Sequence, residues 1–418
     1  MHVARVTRIW RGAPGGGASR GRSALLVLTA SLLLFGCGGS PPTTPTPSVV
    51  YRFGVVGNAG RIAPLVRRTP TVVADVPGDV VQIATSNSDG YALTARGEVW
   101  AWGVASAGEL GDGRTSPYVT HAVRVDFPAG VRIAALANPM PFDAGLAIDR
   151  SGRAWGWGLD ATHDLCLGGL EELRPQPIPL EDVTLATGAR THSLFDARGR
   201  VYACGSGDAG ELGDGSTADR GTPTPVVGLP RSLRVTALTS SWEGSGALLA
   251  DGSYYDWGFN PDGQLGDGRT TDSDTPVRVP LPAPARQVSQ GGSGEGNGQT
   301  VALLDDGSVW TWGDGRKGQL GDGSRTNSAV PVRVDVAAGV RFVDVDSGGY
   351  ACYGIDRSGR LWAWGGNVNG QLGTGSKRLV ETHPVPVPIR VSQISSTASN
   401  VAALHQAETP EPGAGGPG

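Results

Sequence analysis

One phrase constrains this 418-residue chain more than any other feature: aromatic-x-aromatic-Gly, followed a few residues later by Gly-[Glu/Gln]-Leu-Gly-[Asp/Thr]-Gly. It reads Trp100-Ala101-Trp102-Gly103 with Gly108-Glu109-Leu110-Gly111-Asp112-Gly113, and returns at Tyr202 to Gly205 with Gly210 to Gly215. Further copies run from Tyr255 to Gly258 with Gly263 to Gly268, Trp310 to Gly313 with Gly318 to Gly323, and Trp362 to Gly365 with Gly370 to Gly375. A degenerate copy has Trp155-Gly156-Trp157-Gly158 and then only Cys166-Leu167-Gly168. The second aromatic, or the Cys standing for it, falls at 102, 157, 204, 257, 312 and 364, in steps of 55, 47, 53, 55 and 52. With 66 Gly and 30 Pro the composition alone would suggest low complexity, but these glycines are periodic. A period of about 50 residues means one supersecondary unit that buries its apolar face by stacking on its neighbours.

Each unit has the same internal grammar. Val301-Ala302-Leu303-Leu304, Asp306-Gly307 and Ser308 to Trp312 read as a β-hairpin. After the Gly-rich turn comes a Pro and Val run such as Pro331-Val332-Arg333-Val334, then another apolar run such as Val340 to Val345. Four strands per unit, with no helix signal of useful length, is the content of a propeller blade. Six units are explicit. The chain ends supply a seventh, because Val49-Val50-Tyr51-Arg52-Phe53-Gly54 has the aromatic-x-aromatic-Gly form and its missing hairpin partner is found at Val391 to Ile394 and Val401 to Leu404. The predicted fold is all-β: a seven-bladed β-propeller of four-stranded blades over 49–405, its ring closed by N- and C-terminal strands so that no sheet edge is left open.

The phrase W-x-W-G, then G-[EQ]-L-G-[DT]-G, then Pro and Val runs resembles the regulator of chromosome condensation repeat family across roughly residues 49 to 405. Kelch repeats hold a Gly pair at a fixed blade position, which Gly168-Gly169, Gly291-Gly292 and Gly348-Gly349 do not, and WD repeats have a shorter period. Asp306-Gly307-Ser308-Val309-Trp310 does not satisfy the sialidase Asp-box.

Ahead of the propeller, Arg5, Arg8, Arg11, Arg20 and Arg22 precede an apolar run from Ala24 to Phe35 that ends Leu34-Phe35-Gly36-Cys37. A charged segment, a short apolar core and a small residue before the cut read as a secretory signal over 1–37. Its end resembles a bacterial lipobox, with Cys37 as the lipidated residue, although Phe35 departs from the usual residue there. A Pro/Thr/Gly spacer follows over 38–48, and 406–418 is expected to be a disordered tail. The expected address is therefore export and lipid anchoring to the cell envelope, at the outer membrane since Gly38 stands where a retention Asp would be. Without lipobox processing the protein would be secreted. Behind Cys37 there are 30 basic and 39 acidic residues, a net charge of −9. Such an acidic body lacks the cationic footprint of a nucleic-acid binder.

The sequence offers no support for catalysis. His2, His121, His163, His192, His383 and His405 have no metal-ligand spacing, and no Ser-His-Asp order or paired acids emerge, so no catalytic residue, cofactor or metal is assigned. Asp112, Asp214, Asp267 and Asp322 recur at one position, one acid per loop, and read as turn caps rather than calcium ligands. Gly291 to Gln299 has neither the Lys-Ser/Thr ending of a phosphate loop nor an Asp, and reads as a flexible loop. His192 sits in Gly188 to Leu194, which resembles the family's structural Gly-x-x-His phrase. Of Cys166, Cys204 and Cys352 at most two can pair; Cys204 replaces a motif Trp and is expected to be a buried thiol.

The connection before each hairpin diverges in length and chemistry, and seven-fold closure should gather all seven on one face around the axis. The candidate binding residues there are Asn87, Asp89, Met140, Phe142, Arg190, His192, Trp242, Glu243, Tyr350 and Asn400. Met140, Phe142, Trp242 and Tyr350 are the residue types that anchor interfaces; the competing reading folds them into the channel as packing. The functional expectation is a monomeric, non-catalytic envelope module that recognises a protein or glycan. The alternatives are a secreted inhibitor, since one relative of the family blocks β-lactamase with one face, the namesake nucleotide exchange on a small GTPase, and a polymer-degrading enzyme.

Overall fold

In every blade the strand that carries aromatic-x-aromatic-Gly alternates side chains between its two faces, and both faces are covered by neighbouring blades, so Trp and small apolar residues are buried together. The computed structural model describes residues 48–56, 65–87, 89–169, 171–292, 298–397 and 400–406. They form seven four-stranded antiparallel sheets, with no helix among the described residues. Blade 1 runs through Val80–Thr85, Gly90–Thr94, Val99–Ala105 and Ser116–Arg124, from the axis outward. Blades 2 to 6 repeat this order, beginning at Ile133, Val183, Val235, Ala285 and Phe342. The innermost strands follow one another round the axis, and that of blade 6 is succeeded by Gln393–Ser396 of blade 7, which meets Val80–Thr85 of blade 1.

Blade 7 is built from both chain ends, as the sequence predicts. Ser48–Val56 pairs antiparallel with Asn400–Gln406, Tyr51 opposite Ala403 and Phe53 opposite Val401, and Leu65–Val72 adds the outer strand. Residues 1–47 and 407–418, including Cys37, lie outside the described residues.

The blades are sealed by one recurring contact. Trp157, Trp257, Trp312 and Trp364 are fully buried, each against the second Gly of the preceding blade's Gly-x-Leu-Gly turn. A Cβ at Gly111, where φ is +63°, would stand 2.8 Å from the Trp157 ring. Gly213, Gly266 and Gly321 meet Trp257, Trp312 and Trp364 in the same way, and Phe53 fills this slot against Gly373, closing the ring with the same contact. The indole N–H groups of Trp157, Trp257 and Trp364 donate to the carbonyls of Glu109, Glu211 and Gln319 at 2.9, 2.9 and 3.0 Å. The side chains of Glu109, Glu211, Gln264, Gln319 and Gln371 accept the backbone N–H two residues upstream, which explains why Glu and Gln interchange there.

Between blades 2 and 3 the contact is covalent. Cys204 holds the Trp position and Cys166 the Gly position, with φ +55°, and the two form a disulfide. This corrects the expectation of a buried thiol at Cys204. Among the described residues Cys352 is free and buried.

Closer to the axis, the amide side chains of Gln82, Gln287 and Gln393 each bond both a backbone N–H and a carbonyl of the next blade's inner strand, at Leu136, Val345 and the Val81/Ile83 pair. The recurrent Asp residues are turn caps: Asp112, Asp214, Asp267 and Asp322 accept the N–H two residues ahead at 2.8 to 3.1 Å.

Candidate binding face

The connection from first to second strand leaves the same end of every blade, so the seven converge around one mouth of the axial channel. They enclose a shallow cup to which every blade contributes, through Asn87, Pro139 to Phe142, Gly188 to Arg190, Ser240 to Trp242, Gln290 to Gly292, Ser347 to Gly348 and Ser396 to Thr397. Ser88, residues 293–297 and residues 398–399 of these loops lie outside the described residues. Backbone bonds tie the loops to each other: Asn87 N–H donates to the Phe142 carbonyl at 3.0 Å, Phe142 N–H to Ala189 at 3.0 Å, and Gly349 N–H to Thr397 at 3.0 Å. Hydroxyls continue this below, with Thr187 and Ser240 2.9 Å apart and Thr85 and Ser395 2.9 Å apart. Every bond named here joins one blade to another.

At its rim three residues from consecutive blades form one cluster. The Phe142 and Trp242 rings meet edge to face at 5.3 Å between centroids. The Arg190 guanidinium carbon lies 3.9 Å from the Trp242 centroid and 5.6 Å from that of Phe142. Phe142 and Trp242 are half-buried and Arg190 is exposed, so the stack holds the cation in place while its edge faces solvent. Asp143 and Glu243 flank it. Burial pushes the Asp143 carboxyl up to about 6, Glu109 adding to the rise and Arg190 opposing it; burial also raises Glu243, again against Arg190.

The structure divides the ten candidates. Asn87, Phe142, Arg190 and Trp242 line the cup with at least part of their surface open, whereas Glu243 and Tyr350 are part-open on the same loops without lining it. Asp89 and His192 do not reach the surface, and as contact residues they are corrected; Met140 borders the cup but is almost wholly buried. Met140 is 2% exposed, its sulfur accepting the Leu146 N–H at 3.3 Å. Asp89 is fully buried beside Ser86, whose hydroxyl donates to it at 2.8 Å, and burial raises its carboxyl well above the usual range. His192 is fully buried, 2.8 Å from the Ser245 hydroxyl of the next blade, which itself donates to the Glu211 carbonyl; burial holds its imidazole down at about 4. His192 thus supports the seam between blades 3 and 4, while the side chains of Asp89 and Met140 brace their own blades. Asn400 begins an inner strand of blade 7, and its side chain lies outside the described set.

Two features escaped the sequence reading. One is the pairing of Cys166 with Cys204, although aligning Leu165-Cys166 on Leu110-Gly111 puts Cys166 in the Gly slot that faces the next blade's Trp slot. The other is the placing of Arg190 against two touching aromatics from the flanking blades, which requires the loop geometry. No group of three or more His, Cys, Asp or Glu side chains among the described residues is placed to hold a metal ion.

Residues 198–248, 251–294, 306–355 and 358–404 match the family model of the regulator of chromosome condensation (RCC1) repeat, and 342–371 match a second model of that repeat. E3 ubiquitin-protein ligase HERC2 of Homo sapiens is 27% identical over 310 residues, 71% of this chain but 6% of that protein. Ultraviolet-B receptor UVR8 of Arabidopsis thaliana is 32% identical over 261 residues, 59% of this chain and 58% of the receptor, so the chain spans well under two thirds of both relatives. Among solved structures, human WBSCR16 superposes with a TM-score of 0.74 at 19% identity, covering 87% of this chain and 100% of that one. Prp20p from Saccharomyces cerevisiae superposes with 0.71 at 20%, covering 88% and 93%. Residues 198–404 thus match the regulator of chromosome condensation (RCC1) repeat in four stretches, and the chain is similar in sequence or in fold to these relatives.

Proposed function

We propose that this chain is a non-catalytic binding module that docks a protein partner on the loop face around the channel mouth. The observation that carries this reading is the Phe142, Arg190 and Trp242 cluster: two half-buried aromatics and a stacked arginine on a surface where the seven divergent loops meet. Trp and Arg are the residues that most often dominate interface energetics. The cup holds about 50 Å³, against roughly 300–1,000 Å³ for small-molecule sites, so it favours a partner's side chain over a free ligand or a sugar ring. Prp20p is described with its binding properties to Gsp1p and histones; the likeness to this chain is one of fold, and nucleotide exchange is not carried over.

The proposed address is the cell envelope, reached through the 1–37 signal and held there by lipid on Cys37. The Cys166–Cys204 bond favours an oxidising compartment, because disulfides are rare in reducing cytosol. Capture of partner from envelope extract by the wild type, compared with the Phe142→Ala/Trp242→Ala variant, tests the reading. Equal capture by the two contradicts it.

A further inference from the structure

Arg190 is the only charged side chain among the described residues that line the cup; the remainder are Ser, Thr, Asn, Gln, Gly and apolar residues. The guanidinium plane is fixed by Trp242 at 3.9 Å and Phe142 at 5.6 Å. An arginine stacked on its faces keeps its N–H donors at the edge, in the fork that matches a carboxylate. No carboxylate among the described residues stands in an ion pair with it. Asp143 and Glu243 feel its charge from the flanks without joining the cup lining. A solvent-facing cation held on aromatic rings, with no carboxylate among the described residues that line the cup, is complementary to a single anion.

Resting on the docking face proposed above, we infer that the cup takes the side-chain carboxylate of an acidic segment of a protein partner, with Arg190 as the group that reads it. The seven loops surround the mouth on every side, so the acid reaches the cup as a side chain projecting from the partner's surface. A volume of about 50 Å³ admits a carboxylate with a methylene or two, and is far below the roughly 300 Å³ at which small-molecule sites begin. Arg190 thereby sets the partner's chemistry, while Phe142 and Trp242 hold it in place and supply apolar contact around it.

The test uses the full chain on an array of C-terminally amidated twelve-residue peptides of randomised sequence, each acidic peptide printed beside its Asn/Gln twin. Peptides that bind should carry Asp or Glu, and the amide twin should bind about tenfold or more weakly, the loss expected for one charge-assisted pair. Arg190→Gln should erase that difference while lowering the melting midpoint by no more than a few degrees. Arg190→Lys should recover only part of it, because the ammonium lacks the fork and the stack. Peptides that are lost with Trp242→Ala yet bind equally as acid and amide overturn the carboxylate inference and leave the docking face standing. Binding that is indifferent to both Trp242→Ala and Arg190→Gln overturns the face as well, and an array without binders overturns the inference.

Discussion

Gly373 of blade 6 lies against the ring of Phe53 from the opposite end of the chain, so close that a Cβ there would stand 2.8 Å from the aromatic carbon. This contact is the seam between every fully repeated pair of blades, here made by the strand that ties the two termini together.

Phe53 should therefore behave as a core residue although it lies near the start of the fold. Phe53→Ala is expected to cost about 3–5 kcal/mol, the usual range for a buried Phe. Deleting 49–60 should remove the partner of Asn400–Gln406 and expose two sheet edges. Thermal melting checks both. A midpoint within a degree of wild type in either variant contradicts closure by the termini.

The disulfide predicts a reciprocal exchange. Cys166 and Cys204 occupy the Gly and Trp slots of one seam, and Ser193 stands opposite Cys204 as Ser245 stands opposite Trp257. Cys204→Ser should lower stability by about 4 kcal/mol, from the loop-closure model for a 38-residue separation. The double variant Cys166→Gly/Cys204→Trp should restore most of that by rebuilding the packed seam. Chemical denaturation measures both; a double variant no more stable than Cys204→Ser would show that the two seams are not equivalent.

Much of this was legible beforehand, and the exceptions share a cause. Trp157, Trp257, Trp312, Trp364 and Phe53 announce the blades because the same phrase solves the same packing problem at five seams. Phe142 and Trp242 stand out in the sequence as interface candidates because they are aromatics on the short connections that differ from blade to blade. Met140, Asp89 and His192 sit in the same loops but turn inward, and which way a loop side chain points depends on the neighbouring blade rather than on local periodicity. The stacking of Arg190 joins three blades, so no single repeat encodes it.

The acids inside the ring make stability depend on pH. Asp346 is pushed up to about 7 by burial, against bonds from Ser396 and Ser289, and burial likewise takes Asp344 to about 6 and Glu211 and Asp164 to about 7. A carboxyl raised on folding binds more protons in the native state, so its contribution is complete below the unfolded value near ~4 and is lost as pH rises through the folded one. His192, held at about 4, acts oppositely, losing stability as pH falls from ~6.5. The several carboxyls outweigh one imidazole. The melting midpoint should thus be higher at pH 5.5 than at pH 7.5, and Asp346→Asn should narrow the gap by raising the value at pH 7.5. A higher midpoint at pH 7.5 in the wild type would contradict this.

The proposed lipid anchor rests on Cys37 and the Pro/Thr spacer behind it. Cys37→Ser should move the protein from the membrane to the soluble fraction and abolish incorporation of labelled fatty acid. A wild type that takes up no label, with a variant that still fractionates with membranes, rules out the anchor.

The central claim is that the face around Phe142, Arg190 and Trp242 binds a partner rather than merely filling the channel mouth. Edge-to-face and cation–π contacts at such half-exposed sites contribute about 0.5–2 kcal/mol each. The most direct measurement is partner capture by the Phe142→Ala/Trp242→Ala variant, with its melting curve recorded on the same preparation. The account predicts that capture is lost while the midpoint falls by only a few degrees; capture at wild-type level, or loss of folding with no separate binding defect, would contradict it.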